Sequence, residues 1–191
     1  MTYFVNEWYS DSAIMFSILD ELELSTGNDR SGTKFFIKKT PKDICESCKF
    51  GGTWRSMRGK NVRAKCPILN AYKTKLYEDH PELFDIFNEF RDLYFKDFEF
   101  DSVTINKMGK GVSVKPHFDK INVGDSILCA FGDYSGGETF IKKKNPHFEI
   151  VDCRNGIQKF NGATIYHFVN TIKEGLRYSL VFYNSKNKIK I

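Results

Sequence analysis

The chain has 191 residues, 41% hydrophobic, 15% aromatic and 28% charged, with a net charge of +5. This composition suits one domain with a hydrophobic core and excludes a disordered or low-complexity chain. No apolar run reaches the roughly 18 residues of a membrane span, and the mild basic excess admits an anionic partner without requiring one.

The opening stretch, MTYFVNEWYSDS, has no basic segment followed by a long apolar run, so no secretory leader is expected. Residues 12–24, SAIMFSILDELEL, place Ile14, Ile18 and Leu22 at helical spacing. TKFFIKK, residues 33–39, reads as a strand. The five cysteines are Cys45, Cys48, Cys66, Cys129 and Cys153. An odd number without a leader implies reduced thiols and an intracellular protein, cytoplasmic or nuclear. The alternative is structural zinc on the CESC pair Cys45 and Cys48, with Cys66 and His80. Such sites usually carry two Cys pairs, and here there is one.

Residues 54–65, WRSMRGKNVRAK, gather Arg55, Arg58, Lys60, Arg63 and Lys65 behind Trp54 with no acid among them. Such a loop is either simply solvated or a grip on phosphates with an aromatic ring beside it. PELFDIFNEFRDLYF, residues 81–95, is the clearest helix. Pro81 suits its first turn, and Leu83, Phe84, Phe87, Phe90 and Tyr94 form one apolar stripe. From residue 98 the texture changes to short strands, expected at 98–107, 111–119, 126–131, 137–141, 147–152, 156–160, 163–169 and 177–184. Gly and Asn-Gly breakers separate them. About eight short strands with regular turns suggest a sandwich or jelly roll. The lysines at 142–144 and in the tail read as solvated.

Chemistry concentrates in HFDKINVG, residues 117–124. Strand periodicity puts His117 and Asp119 on one face and Phe118 on the other. His167, in ATIYHFV, shares a face with Ile165 and Val169 and is the natural third ligand. Two imidazoles and one carboxylate on one face of a metal leave three positions open, as in non-haem iron(II) oxygenases. HxD alone is common by chance, and a single strand histidine is more often structural. Ten positions after His167 stands Arg177, in RYSLVFYN. Alternation puts Arg177, Ser179, Val181 and Tyr183 on one face. An arginine inside an apolar barrel needs an anion, and its fork matches a carboxylate. 2-Oxoglutarate has a carboxylate at each end, and Ser179 can add a hydroxyl. The competing reading pairs Arg177 with an acid of the protein.

HFDKINVGDSILCAFGDYSGGETF and GLRYSLVFYNSK together resemble the Fe(II)/2-oxoglutarate-dependent dioxygenases. Within them the chain is most similar to the TET/JBP-like branch, which hydroxylates methyl groups on nucleobases, and to its compact algal, fungal and viral forms. The match covers about residues 98–188. The resemblance implies an α+β chain with a double-stranded β-helix (jelly roll) core and supporting N-terminal helices. Residues 1–97 would be a support region integral to the domain, and residues 98–191 the jelly-roll catalytic core. It implies Fe(II) and 2-oxoglutarate as cofactors, dioxygen as cosubstrate, and ascorbate as a reductant in assays. His117, Asp119 and His167 would hold iron. Arg177, Ser179 and, by analogy with AlkB-like relatives, Asn106 would hold 2-oxoglutarate. Asn122, three residues after the metal Asp, would contact the target base and Tyr183 would stack near it. On the residues alone, Asn122 equally makes a turn and Tyr183 equally packs the barrel. Arg55 and Arg58 are the candidates for gripping DNA or RNA, or for reaching the iron-side carboxylate. A monomer, intracellular and possibly virus-encoded, with a nucleic-acid partner and no membrane partner, is expected. TET enzymes carry a His two residues after the Tyr, where this chain has Ser185.

The alternative is an oxygenase of the same fold acting on a protein side chain or a small molecule. Prolyl hydroxylases share HxD but typically carry Lys where Arg177 stands. A third reading, a binding protein without chemistry, sits poorly with three ligands and Arg177 together.

Overall fold

The computed structural model describes residues 2–22, 45–51, 65–66, 71–72, 80–144 and 147–185. Two helices cover one face of a twisted main sheet, and a smaller sheet covers the other. Helix α1 is Thr2–Glu21 and helix α2 is Leu83–Tyr94. The main sheet runs β1 (Cys45–Gly51), β4 (Ser102–Gly109), β12 (Ile172–Ser185), β6 (Asn122–Phe131) and β10 (Gln158–Phe160), with β7 (Tyr134–Gly136) joined to the start of β12. The second sheet runs β5 (Val114–His117), β11 (His167–Val169), β8 (Thr139–Lys144) and β9 (His147–Val151). A short pair, β2 (Lys65–Cys66) and β3 (Ala71–Tyr72), stands apart from both. All the strand pairs are antiparallel. This is the jelly-roll arrangement expected from the strand pattern.

Strand alternation divides the core in two. Along β6, Ile127, Cys129 and Phe131 face the helices, while Leu128 and Ala130 face the second sheet. Along β12, Tyr178, Leu180 and Phe182 join the helix-side cluster. The intervening Arg177, Ser179 and Val181 therefore point between the sheets. Burial pushes the Cys129 and Cys153 thiols above their ordinary range, and both are free.

Phe182 is fully buried, with ring centroids 4.9 Å from Phe95, 5.0 Å from Phe100 and 5.8 Å from Phe87. Phe182→Ala removes a ring that neighbours cannot replace and is expected to cost about 3–5 kcal/mol. Chemical denaturation should show this as a lower midpoint with an unchanged slope. A cost below about 1 kcal/mol would mean that the helices do not pack on this sheet as described.

Helix α2 presents the expected stripe: Leu83, Phe87 and Phe90 are buried, and Phe84 and Tyr94 pack at its margins. Helix α1 departs from expectation. It begins ten residues earlier, and its buried residues are Trp8, Met15 and Leu19, whereas Ile14 is 57% exposed. Ile18 and Leu22 pack only partly. Trp8 decides the rotation of the helix, since its Nε1 donates to the Arg154 carbonyl at 2.7 Å and its ring stacks on Phe131. The cysteine-bearing CESCKFG forms β1, a strand with no period-2 signal, held by full register with β4 from Cys45↔Met108 to Gly51↔Ser102. The strand expected at residues 33–39 lies outside the described residues.

Candidate active site

Strands β5 and β11 pair with His117 directly opposite His167. Each imidazole Nδ1 lies against a carbonyl two residues back, His117 on Lys115 at 2.7 Å and His167 on Ile165 at 2.9 Å. A carbonyl only accepts, so Nδ1 carries the proton in both rings. Those contacts leave both Nε2 atoms on the opposite side of the rings. They face the same carboxylate, His117 Nε2 at 3.5 Å from Asp119 Oδ1 and His167 Nε2 at 3.5 Å from Asp119 Oδ2. Donor atoms of the three residues lie within 4.8 Å of one another. An imidazole nitrogen from each ring and a carboxylate oxygen converge, the donor set of a divalent-cation site. The donor set fits the metal that the ligand pattern implies. Phe160 packs edge-on against His167 at 5.2 Å and keeps one side of the cluster apolar.

Asp119 sits in the tight loop after β5. Its backbone N–H donates to the Gly162 carbonyl at 2.8 Å, and its own carbonyl accepts from Asn122 at 2.9 Å. The Asn122 amide Nδ2 donates to Ser126 Oγ at 3.1 Å and reaches Asp119 Oδ2 at 3.4 Å. Asn122 is thus buried beside the carboxylate.

Arg177 is 1% exposed. Its Nη2 donates to Thr139 Oγ1 at 3.3 Å, and its Nη1 lies 3.7 Å from the Met108 sulfur. Its Nε has no hydrogen-bond partner. The Tyr134 ring lies 5.8 Å away. Among the described residues, no carboxylate forms an ion pair with it. The reading that paired Arg177 with an acid of the protein finds no support there. A buried guanidinium with an idle N–H, accompanied by a hydroxyl, a sulfur and an aromatic ring, is fitted to an incoming anion. Two residues on, Ser179 stands opposite Asn106, whose Nδ2 donates to Ser179 Oγ at 3.2 Å.

Tyr183 is 2% exposed. Strands β12 and β6 bring its end of the sheet to Asn122, which faces Ser185 in register. Arg55 and Arg58 lie outside the described residues. Sequence reasoning passed over Thr139, Ser126 and Gly162. Thr139 carries no signal beyond its place in the strand expected at 137–141, and Gly162 sits in an Asn-Gly pair that reads as a breaker.

No protein-family model and no curated protein matches this chain. Solved structures do. The structure of NgTET1 in complex with 5mC DNA aligns with a TM-score of 0.51 at 15% identity, over 97% of this chain and 70% of that one. The structure of OsALKBH1 aligns with a TM-score of 0.51 at 16% identity, over 92% and 93% of the two chains. A 2OG-Fe(II) oxygenase family oxidoreductase from Burkholderia pseudomallei aligns at 21% identity and a TM-score of 0.40 over 47% of this chain. The match spans only 46% of that protein's length. The likeness to the first two is one of fold: the chain has their jelly roll. Among the described residues, no helix is long and apolar enough to cross a membrane.

Proposed function

We propose that this chain is an Fe(II)- and 2-oxoglutarate-dependent dioxygenase that oxidises the methyl group of a nucleobase, 5-methylcytosine or thymine, in DNA or RNA. The observation that carries the reading is a pair of features in one jelly roll. His117, Asp119 and His167 converge with the donor set of a divalent cation, and buried Arg177 with its partnerless Nε calls for a carboxylate. In this reading the three residues hold iron. Arg177 grips the far carboxylate of 2-oxoglutarate, beside Thr139, Ser179 and Asn106. Iron, 2-oxoglutarate and dioxygen then supply C–H hydroxylation coupled to decarboxylation of 2-oxoglutarate to succinate.

The chain's own residues supply position. The Nδ1 contacts fix both imidazoles with Nε2 toward the ligand point. Phe160, beside His167, keeps water from that side. The nucleobase substrate is supported by the HxDxxN, GDYxGGE and RxSLVFY blocks, and by the shared fold with a protein crystallised on 5mC DNA. A base in a duplex must leave the stack, at a cost of a few kcal/mol. Asn122 Oδ1 is the group assigned to meet it. A stacking role for Tyr183 requires substrate entry to uncover its ring. Ser185, opposite Asn122, replaces the His of TET enzymes, so the edge of the base is read differently here.

The test is mass spectrometry of nucleosides from methylated and unmethylated DNA and RNA after incubation with the protein, Fe(II), 2-oxoglutarate and ascorbate. A hydroxymethyl, formyl or carboxyl base that is absent with the His117→Ala variant is expected. Succinate without a new base would keep the oxygenase and move its substrate to a protein side chain or a small molecule. Formation of neither a new base nor succinate would overturn the reading.

A further inference from the structure

We infer that Gly162 and Asn122 are positioning residues for the Asp119 carboxylate, and that metal affinity depends on both. The inference rests on the proposed metal role of Asp119. Gly162 has no left-handed backbone to explain it, since its φ lies outside the region that favours glycine. What excludes a side chain is the carboxylate. A Cβ on Gly162 would lie 2.9 Å from Asp119 Oδ2, 3.5 Å from its Cβ and 3.6 Å from its Cγ. The first distance is closer than real Cβ contacts come.

Asp119 has no easy retreat. Its N–H is bonded to the Gly162 carbonyl itself, and its carbonyl to the Asn122 N–H. With the backbone held on both sides, relief of the clash falls on rotation of the carboxylate, whose oxygens already lie 3.5 Å from the Nε2 atoms of His117 and His167. Asn122 acts from another side. Its amide is buried, oriented by Ser126 Oγ at 3.1 Å, and directed at Oδ2 at 3.4 Å. One neighbour leaves room for the oxygen and the other offers it a proton. Together they set the rotation of the ligand.

The test is Co(II) titration followed by visible absorption, with apo-protein melting alongside. Gly162→Ala is expected to weaken Co(II) binding by about 10–100-fold, the usual effect of losing a group that orients a ligand, and to alter the Co(II) band. Asn122→Ala should weaken binding by about tenfold. Gly156→Ala is the control, since a Cβ there meets nothing within 4 Å; it should titrate like the wild type. A Gly162→Ala protein with wild-type affinity and band would overturn the inference while leaving the metal site standing. Should that variant not fold, Ser126→Ala carries the test, because it removes the acceptor that orients the amide. Weaker Co(II) binding supports the inference, and unchanged binding overturns it. Failure of the wild type to bind Co(II) in a His167-dependent way would overturn the proposed function as well.

Discussion

Replacing Arg177 with methionine is expected to raise the 2-oxoglutarate requirement by about 1.5 to 3.5 orders of magnitude without lowering the stability of the cosubstrate-free protein. The two effects have opposite physical origins. Losing one partner of a buried charge pair costs about 2–5 kcal/mol of binding. Without the cosubstrate there is no such pair to lose. Arg177 is 1% exposed, its Nε has no partner, and its other contacts are Thr139 and the Met108 sulfur. An apolar side chain of similar length removes a buried charge that no carboxylate among the described residues offsets, so no loss of stability is expected. Succinate release against 2-oxoglutarate concentration measures the first effect, and thermal melting the second. A melting temperature several degrees lower with an unchanged 2-oxoglutarate requirement would make Arg177 a structural residue.

His167→Ala should abolish iron-dependent succinate formation. Groups that only orient a ligand cost about 10–100-fold when removed; removal of the ligand itself should exceed that range. His167 is buried, its Nδ1–H is committed to Ile165, and its Nε2 faces Asp119. Alanine leaves a donor gap that no neighbouring described side chain is placed to fill. His147→Ala is the matched control, since His147 lies exposed at the start of β9. It should keep full turnover. Equal activity in both variants would remove His167 from the metal site.

Much of this was legible in the residues because it depends on alternation. The period-2 pattern of RYSLVFYN predicted that Arg177 and Ser179 would turn away from Tyr178, Leu180 and Phe182, and the two core clusters divide along that line. Convergence of His117, Asp119 and His167 was expected from the face each occupies in its strand, and they meet. The stripe of α2 followed from its spacing. What escaped had no local signature. The rotation of α1 is decided by a hydrogen bond from Trp8 to a carbonyl 146 residues away, which no helical period encodes. Strand β1 is held by register with β4, and its own CESCKFG shows no strand pattern. Gly162 looked like a turn residue because closeness to a carboxylate 43 positions earlier is invisible in sequence.

The position of β12 has a consequence for how the chain is made. It lies between β4 and β6, which do not pair with each other, so the main sheet consists of two halves until β12 enters. Ribosomal synthesis reaches β12 only after both its neighbours. A nascent chain that stops short of Ile172 already carries His117, Asp119 and His167, yet exposes two unpaired strand edges of the kind that recruit other chains. It also lacks Arg177. Closure of the sheet and arrival of the buried guanidinium are therefore one event: the chain cannot finish folding without completing the pocket.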